Sequence, residues 1–146
     1  MPLPQISEVD IQRLAGRTMF ERGQRYYRGK QVFDLVLRGD LLYAAVQGSE
    51  YDPYQVSIRF TDDGLASAVC SCPYDGAVCK HVVAALLVVV HQPELVEERP
   101  PLNATLDELN ADQLRALLLD VAFQHPDIAD LVDGRVSRLD SDDADW

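Results

Sequence analysis

Hydrophobic and polar positions follow one period at the start of the chain, another in the middle, and return to the first after residue 80. In "SEVDIQRLA", Ser7 stands where an N-cap belongs and the apolar residues after it fit one face of a short helix. "TMFERGQRYYRGK" predicts a second, amphipathic helix. At about 100° per residue, Met19, Phe20, Gly23, Tyr26 and Tyr27 share a face that belongs in the core, while Arg17, Arg22, Arg25 and Arg28 fan over the other. From Gln31 the period drops to two. "QVFDLVL" and "LLYAAVQ" flank Arg38-Gly39-Asp40 as a hairpin would, and in "YQVSIRF" Tyr54, Val56, Ile58 and Phe60 alternate with polar residues. "TDDG" supplies the next turn, with Gly64 free to take a positive φ, and "LASAVCSC" completes a sheet of about four antiparallel strands. "KHVVAALLVVV" is apolar on every side. Its length and Ala-Ala-Leu-Leu centre favour a buried helix, closed by Pro93, over a strand.

The expected fold is therefore α+β: N-terminal helices, a small antiparallel sheet, then a buried helix and short acidic C-terminal helices. "EERPP" reads as a linker, which divides the chain into a domain over 1–93, a linker over 94–101, an acidic helical appendage over 102–134 and an acidic tail over 135–146. In the appendage Leu114, Leu117, Leu118 and Val121 recur at helical spacing, and the closing "DSDDADW" is too polar to pack.

Charge modifies this picture. The net charge of −11 disfavours a general affinity for nucleic acid, yet it is unevenly placed. Residues 1–38 carry seven Lys or Arg against four Asp or Glu, whereas residues 94–146 carry four against fourteen. The amino terminus lacks the basic start, apolar run and small-residue site of a secretory signal, and the longest apolar run, Val82 to Val90, is too short to span a bilayer. The expectation is a cytoplasmic protein with no membrane contact.

All three cysteines and one of three histidines fall within "CSCPYDGAVCKH". An odd number of thiols in a chain without an export signal is no disulfide framework. Cys70, Cys72, Cys79 and His81 instead form a Cys3His set, a normal tetrahedral ligand set for zinc. Two strand residues at i and i+2 point to one side, so Cys70 and Cys72 are expected on the face of Ala66 and Ala68, with Pro73 and Asp75-Gly76 turning the chain back. Cys79 and His81 would diverge by about 200° inside one helix, so Cys79 must lie before or at its first turn. The protein fills all four positions. One zinc per chain is then structural rather than catalytic. A lone buried cysteine is ordinarily a small hydrophobe, but four such residues within twelve positions are not. A thiol redox sensor is the remaining alternative, and it gives Cys79 and His81 no task.

Cys-x-Cys, a short loop and Cys-x-His resemble the SWIM-type zinc finger, and "FERGQRYYRGKQV", "AVQGSEYDPYQVSI" and "CSCPYDGAVCKHVVAALL" are similar to its bacterial members over about residues 17–90. The resemblance implies that Cys70, Cys72, Cys79 and His81 bind the zinc. It also implies an interaction module of the kind found beside helicase ATPases, in transposases and in signalling proteins, binding DNA or other proteins. No phosphate-binding G-x-x-x-x-G-K-[ST] occurs in the sequence, so the chain is a stand-alone finger or part of something larger.

The expected partner is another protein, such as a helicase or other DNA-processing factor. The alternative is direct DNA or RNA binding by Arg17, Arg22, Arg25, Arg28 and Lys30, weighed against an ordinary solvated helix face. Gly23 is expected to admit the close approach of another element, and His91 and His125 to be helix-end residues. No nucleophile or base accompanies the acidic pairs between Asp107 and Asp133, so no enzyme is expected.

Overall fold

The computed structural model describes the chain apart from Met1, Pro2, Pro4, Asp63, Asp75, Ala77, Asp145 and Trp146, and apart from the side chains of Leu65, Ala66 and residues 140–144. It divides into two units, one ending at Leu102 and one starting at Asn103.

Helix α1, Glu8–Ala15, opens on a capping box: Ser7 Oγ accepts from the Asp10 N–H at 3.3 Å, and the Asp10 carboxylate accepts from the Ser7 N–H at 3.0 Å. Gly16, at φ 83°, turns the chain into helix α2, Arg17–Arg28. Strands β1 (Val32–Arg38), β2 (Leu41–Val46), β3 (Tyr54–Thr61) and β4 (Gly64–Cys70) form an antiparallel meander. A bulge at Asp34, whose φ is 53°, leaves Phe33 and Asp34 both exposed and returns Leu35 and Leu37 to the buried face. Helix α3, Lys80–His91, lies across that face with every residue from His81 to Val89 buried.

The alternation therefore places Leu42, Val56, Ile58 and Phe60 against Val82, Val83, Leu86 and Leu87, and α1 and α2 cover α3 with Ile11 and Phe20. At Gly23, α2 packs closely against α3. A Cβ there would meet the Val83 side chain and stand 2.9 Å from the Lys80 carbonyl oxygen, so the expected close approach is made by α3.

Two features depart from the sequence pattern. The sheet has a fifth strand, in the order β4-β3-β2-β1-β5, because β5 (Glu97–Arg99), from the stretch that composition assigns to a linker, pairs parallel with β1. Three charged residues carry no alternation, and only the parallel ladder defines them as a strand. A single 3-10 turn at Pro93–Leu95 leads into it, and Arg38 donates to the Pro100 carbonyl at 3.0 Å.

The second departure lies in the other unit. After helix α4 (Leu102–Leu106), which ends the first unit's chain path and begins the second's, come α5 (Ala111–Gln124) and α6 (Asp127–Ala144). Helix α6 thus runs through 135–144, where composition alone suggests an unpacked tail, and Asp145 and Trp146 lie outside the described residues.

Candidate metal centre

Three elements deliver the four donors. Cys70 is the last residue of β4. Cys72 was expected on the same strand, but the strand stops at Cys70 and Cys72 sits in the bend that follows. Its side chain nonetheless reaches the same site. Pairing with β3 persists one residue past the strand, through the Ser71 N–H to the Gln55 carbonyl at 3.1 Å and the Gln55 N–H to Ser71 Oγ at 2.9 Å. Extended geometry thereby survives far enough to keep the i, i+2 relation. Of the turn residues expected between the two pairs, Asp75 lies outside the described residues, as does the side chain of Ala66.

Cys79 is the N-cap of α3, with extended backbone, and its carbonyl accepts from the Val83 N–H at 3.0 Å. His81 is the second residue of the helix. The expected split across the helix start is what the structure contains, and it aims a thiol and an imidazole at one point.

The donor atoms of Cys70, Cys72, Cys79 and His81 all lie within 4.8 Å of one another. His81 Nδ1 is 3.7 Å from Cys70 Sγ and 3.8 Å from Cys79 Sγ. A tetrahedral ion with bonds of about 2.3 Å to sulfur and about 2.0 Å to nitrogen separates its ligand atoms by about 3.5 to 3.8 Å. The cluster therefore fits one zinc, bound through Nδ1, with no coordination position left for water.

The electrostatics of the thiols agree with such a use. The Cys79 thiol is held far below the ordinary thiol range, chiefly by a hydrogen bond from Cys70 and further by His81 and the Val82 N–H, against the cost of burial. The Cys70 thiol is pushed up by that same bond to Cys79 and by burial. The first thiolate forms at Cys79, where the Cys70 thiol and then the start of α3 supply donors, and crowding the sulfurs together disfavours further ionisation until a cation offsets the charge.

His81 is 2% exposed, and its Nε2 is a buried polar atom without a hydrogen-bond partner. Its ring is held by aromatic contacts instead. Tyr54 lies 4.4 Å away, tilted by 31°, and Tyr26 packs edge-on at 5.0 Å and 75°. The sequence marks Tyr26 for a core face and Tyr54 for an alternating strand but links neither to His81, because their proximity depends on how α2 and β3 meet α3. Lys80 holds its ammonium 5.4 Å from the centre of the Tyr26 ring, next to the anionic cluster.

The basic residues are not gathered into the metal site. Arg17, Arg22, Arg25, Arg28 and Lys30 are all exposed, and Arg17 pairs with Glu21 at 3.3 Å. Arg22 alone reaches the vicinity of the cluster. With Glu50, Tyr54, Pro73, Tyr74 and Lys80 it lines a cavity of about 430 Å³ beside Cys72, Cys79 and His81. His91 ends α3 as expected, but it also accepts a role the sequence did not show: its Nε2 stands 2.6 Å from Glu8 Oε1, which fastens α1 to that end of the helix. His125 is the C-cap of α5.

A five-stranded sheet closed by a Cys3His cluster at the start of a buried helix defines a metal-binding module. Residues 54–89, from β3 through α3, match the SWIM zinc finger family model. Among curated proteins the chain is 32% identical over 100 residues to zinc finger SWIM domain-containing protein 8 of Bos taurus, covering 66% of this chain and 7% of that protein. The Homo sapiens protein of that name matches at 32% over 100 residues, and the Drosophila melanogaster homolog at 33% over 97. The chain spans only 5 to 7% of the length of these relatives. No solved structure gives a significant match. None of these relatives' names states an enzymatic activity, and no helix among the described residues is long and apolar enough to cross a membrane.

Proposed function

We propose that the chain is a cytoplasmic, non-enzymatic interaction module whose zinc is structural and whose partner is another protein, in an assembly such as a helicase or other DNA-processing complex. The observation that carries this reading is the closed donor set: three sulfurs and one imidazole nitrogen converge within 4.8 Å, leaving no position for a reacting group. Bound zinc supplies a cross-link between the end of β4 and the start of α3. The rest is done by the chain: Cys79 starts the helix, Tyr26 and Tyr54 fix the His81 ring, and α3 carries that constraint into the core. The relatives' name as zinc finger proteins supports the module reading, and the partner rests on the family resemblance.

The test compares wild type with Cys72→Ser in chemical cross-linking against candidate DNA-processing proteins. Zinc-dependent capture of a defined partner supports the reading; equal capture by both proteins overturns it.

Direct nucleic-acid binding is the second reading, and one observation favours it. Arg22 and Lys80 line the same cavity as Tyr54 and Tyr74, which puts cations beside aromatic rings, and no ion pair engages Arg22, Arg25 or Arg28 among the described residues. Affinity for a labelled oligonucleotide should then fall steeply with salt, and replacing Arg22, Arg25 and Arg28 with Gln should flatten that slope. The protein-partner reading expects weak binding without sequence preference at physiological salt. Tight binding abolished by the Gln changes reverses the ranking.

A further inference from the structure

The second unit is unusual in what it leaves uncovered. No described side chain between Asn103 and Leu139 is buried, although the stretch is rich in leucine. Leu114 and Val121 of α5, with Ile128 and Val132 of α6, are half-buried on one side of this helix pair. On the other side of α5, Asp112, Ala116, Leu119 and Phe123 follow one another at helical spacing with Asp120 alongside. Leu119 is 64% exposed and Phe123 is 86% exposed. A phenylalanine that far into solvent, four residues from an exposed leucine, is an anchor without a pocket.

Charge selects the occupant. Residues 103–146 carry eleven Asp or Glu against three Arg, and Arg115 is the one cation of α5. A second copy of the unit would bring the same excess of negative charge against it, whereas a cationic surface gains from the field. The stripe is short and convex, as a helix is, so its complement is apolar residues framed by Lys or Arg on another helix.

We infer that the outer stripe of α5, Leu119 and Phe123 with Asp112 at its N-terminal end and Asp120 beside it, docks a cationic amphipathic helix of a partner protein. This deepens the proposed role as a protein-interaction module and rests on it, adding a second contact, in the other unit, to the zinc-dependent one.

Fluorescence anisotropy with the full zinc-loaded chain tests it. The probe is a labelled synthetic 21-residue helix of Leu and Lys with Leu at every third or fourth position. One control has the same composition scrambled so that no stripe forms, and another keeps the stripe but carries Glu for Lys. The patterned Lys helix should bind at least tenfold more tightly than the scrambled one, and the Glu helix should not bind. Leu119→Ser with Phe123→Ser should lose at least tenfold, with circular dichroism and zinc content unchanged, since neither side chain is buried.

Equal binding of patterned and scrambled peptides reduces the effect to net charge and overturns the inference, as does a double variant that binds like wild type. Sedimentation showing a dimer that the double variant dissolves names a second copy as the occupant and overturns it too. If zinc-dependent cross-linking to a partner persists when the peptide test fails, only this docking surface is lost and the module reading stands.

Discussion

His81 concentrates the chemistry of the site in one ring. Nδ1 faces the sulfurs, Nε2 has no partner, and two tyrosines hold the plane. Outer contacts of this kind set how well a ligand is presented, and losing one commonly costs about 10- to 100-fold in metal affinity. Tyr54→Leu should therefore weaken zinc binding by about tenfold in competition with a chromogenic chelator, while His81→Ala or Cys72→Ser should abolish stoichiometric binding and disorder the finger. A Tyr54→Leu protein that holds zinc as tightly as wild type would show the ring contact to be incidental. Filled ligands also shield the thiols, so alkylation should be slow until a chelator is added. Rapid modification of Cys70 or Cys72 in the native protein, with reversible disulfide formation, would favour the redox sensor. Asp10 offers a separate test at the start of α1. Its carboxyl is held below the usual range by the Ser7 backbone and side-chain hydrogen bonds, so its contribution to α1 is present above the unfolded carboxylate's titration and is lost as pH falls through the folded value. Amide exchange at the start of α1 should accelerate in acid, and Asp10→Asn should shift the onset of that acceleration.

At the scale of elements, the crossing of α2 over α3 depends on one missing side chain. Gly23→Ala puts a methyl into the Val83 side chain, and overpacking of this kind typically costs about 1 to 3 kcal/mol. The expected outcome is a lower denaturation midpoint with an unchanged denaturant slope. Val83→Ala in the same chain should recover part of the loss by making room, and a double variant whose losses simply add would mean that the contact does not set the crossing. The sequence announced this pair only halfway. A glycine within an aromatic helix face signals close approach, yet nothing local says which element approaches. The strands were legible for the same reason that they fold: alternation in "YQVSIRF" marks a sheet with one buried face, and Val56, Ile58 and Phe60 lie there. Glu97–Arg99 has no such pattern, because a strand held by its backbone against β1 leaves no record in side-chain polarity. The four ligands were legible because metal coordination demands particular side chains at particular spacings. The rings around His81 and the contact between Glu8 and His91 were not, since residues far apart in sequence, 83 in the second case, meet only after the core has formed.

Across the whole molecule, burial and charge separate. The core lies entirely within the first unit, and the excess of acidic residues lies in the second. If apolar burial and the zinc cross-link supply the stability of the first unit, the second should be dispensable for it. A chain ending at Leu102 should bind one zinc and unfold within a few degrees of the full-length protein, because no described residue from 103 to 139 is buried. The same truncation removes eleven Asp or Glu and three Arg, a change of +8 in net charge. Any affinity of the Arg22, Arg25 and Arg28 face for phosphate should then rise at low salt, and the gain should vanish as added salt screens it. The patterned Leu-Lys helix should behave in the opposite way, losing its binding with the unit that carries Leu119 and Phe123. Differential scanning fluorimetry, metal analysis and the two anisotropy titrations on one truncated protein read all three effects. A truncated chain that melts without zinc, or that keeps the peptide while gaining no oligonucleotide affinity, would show that the two units do not divide the work in this way.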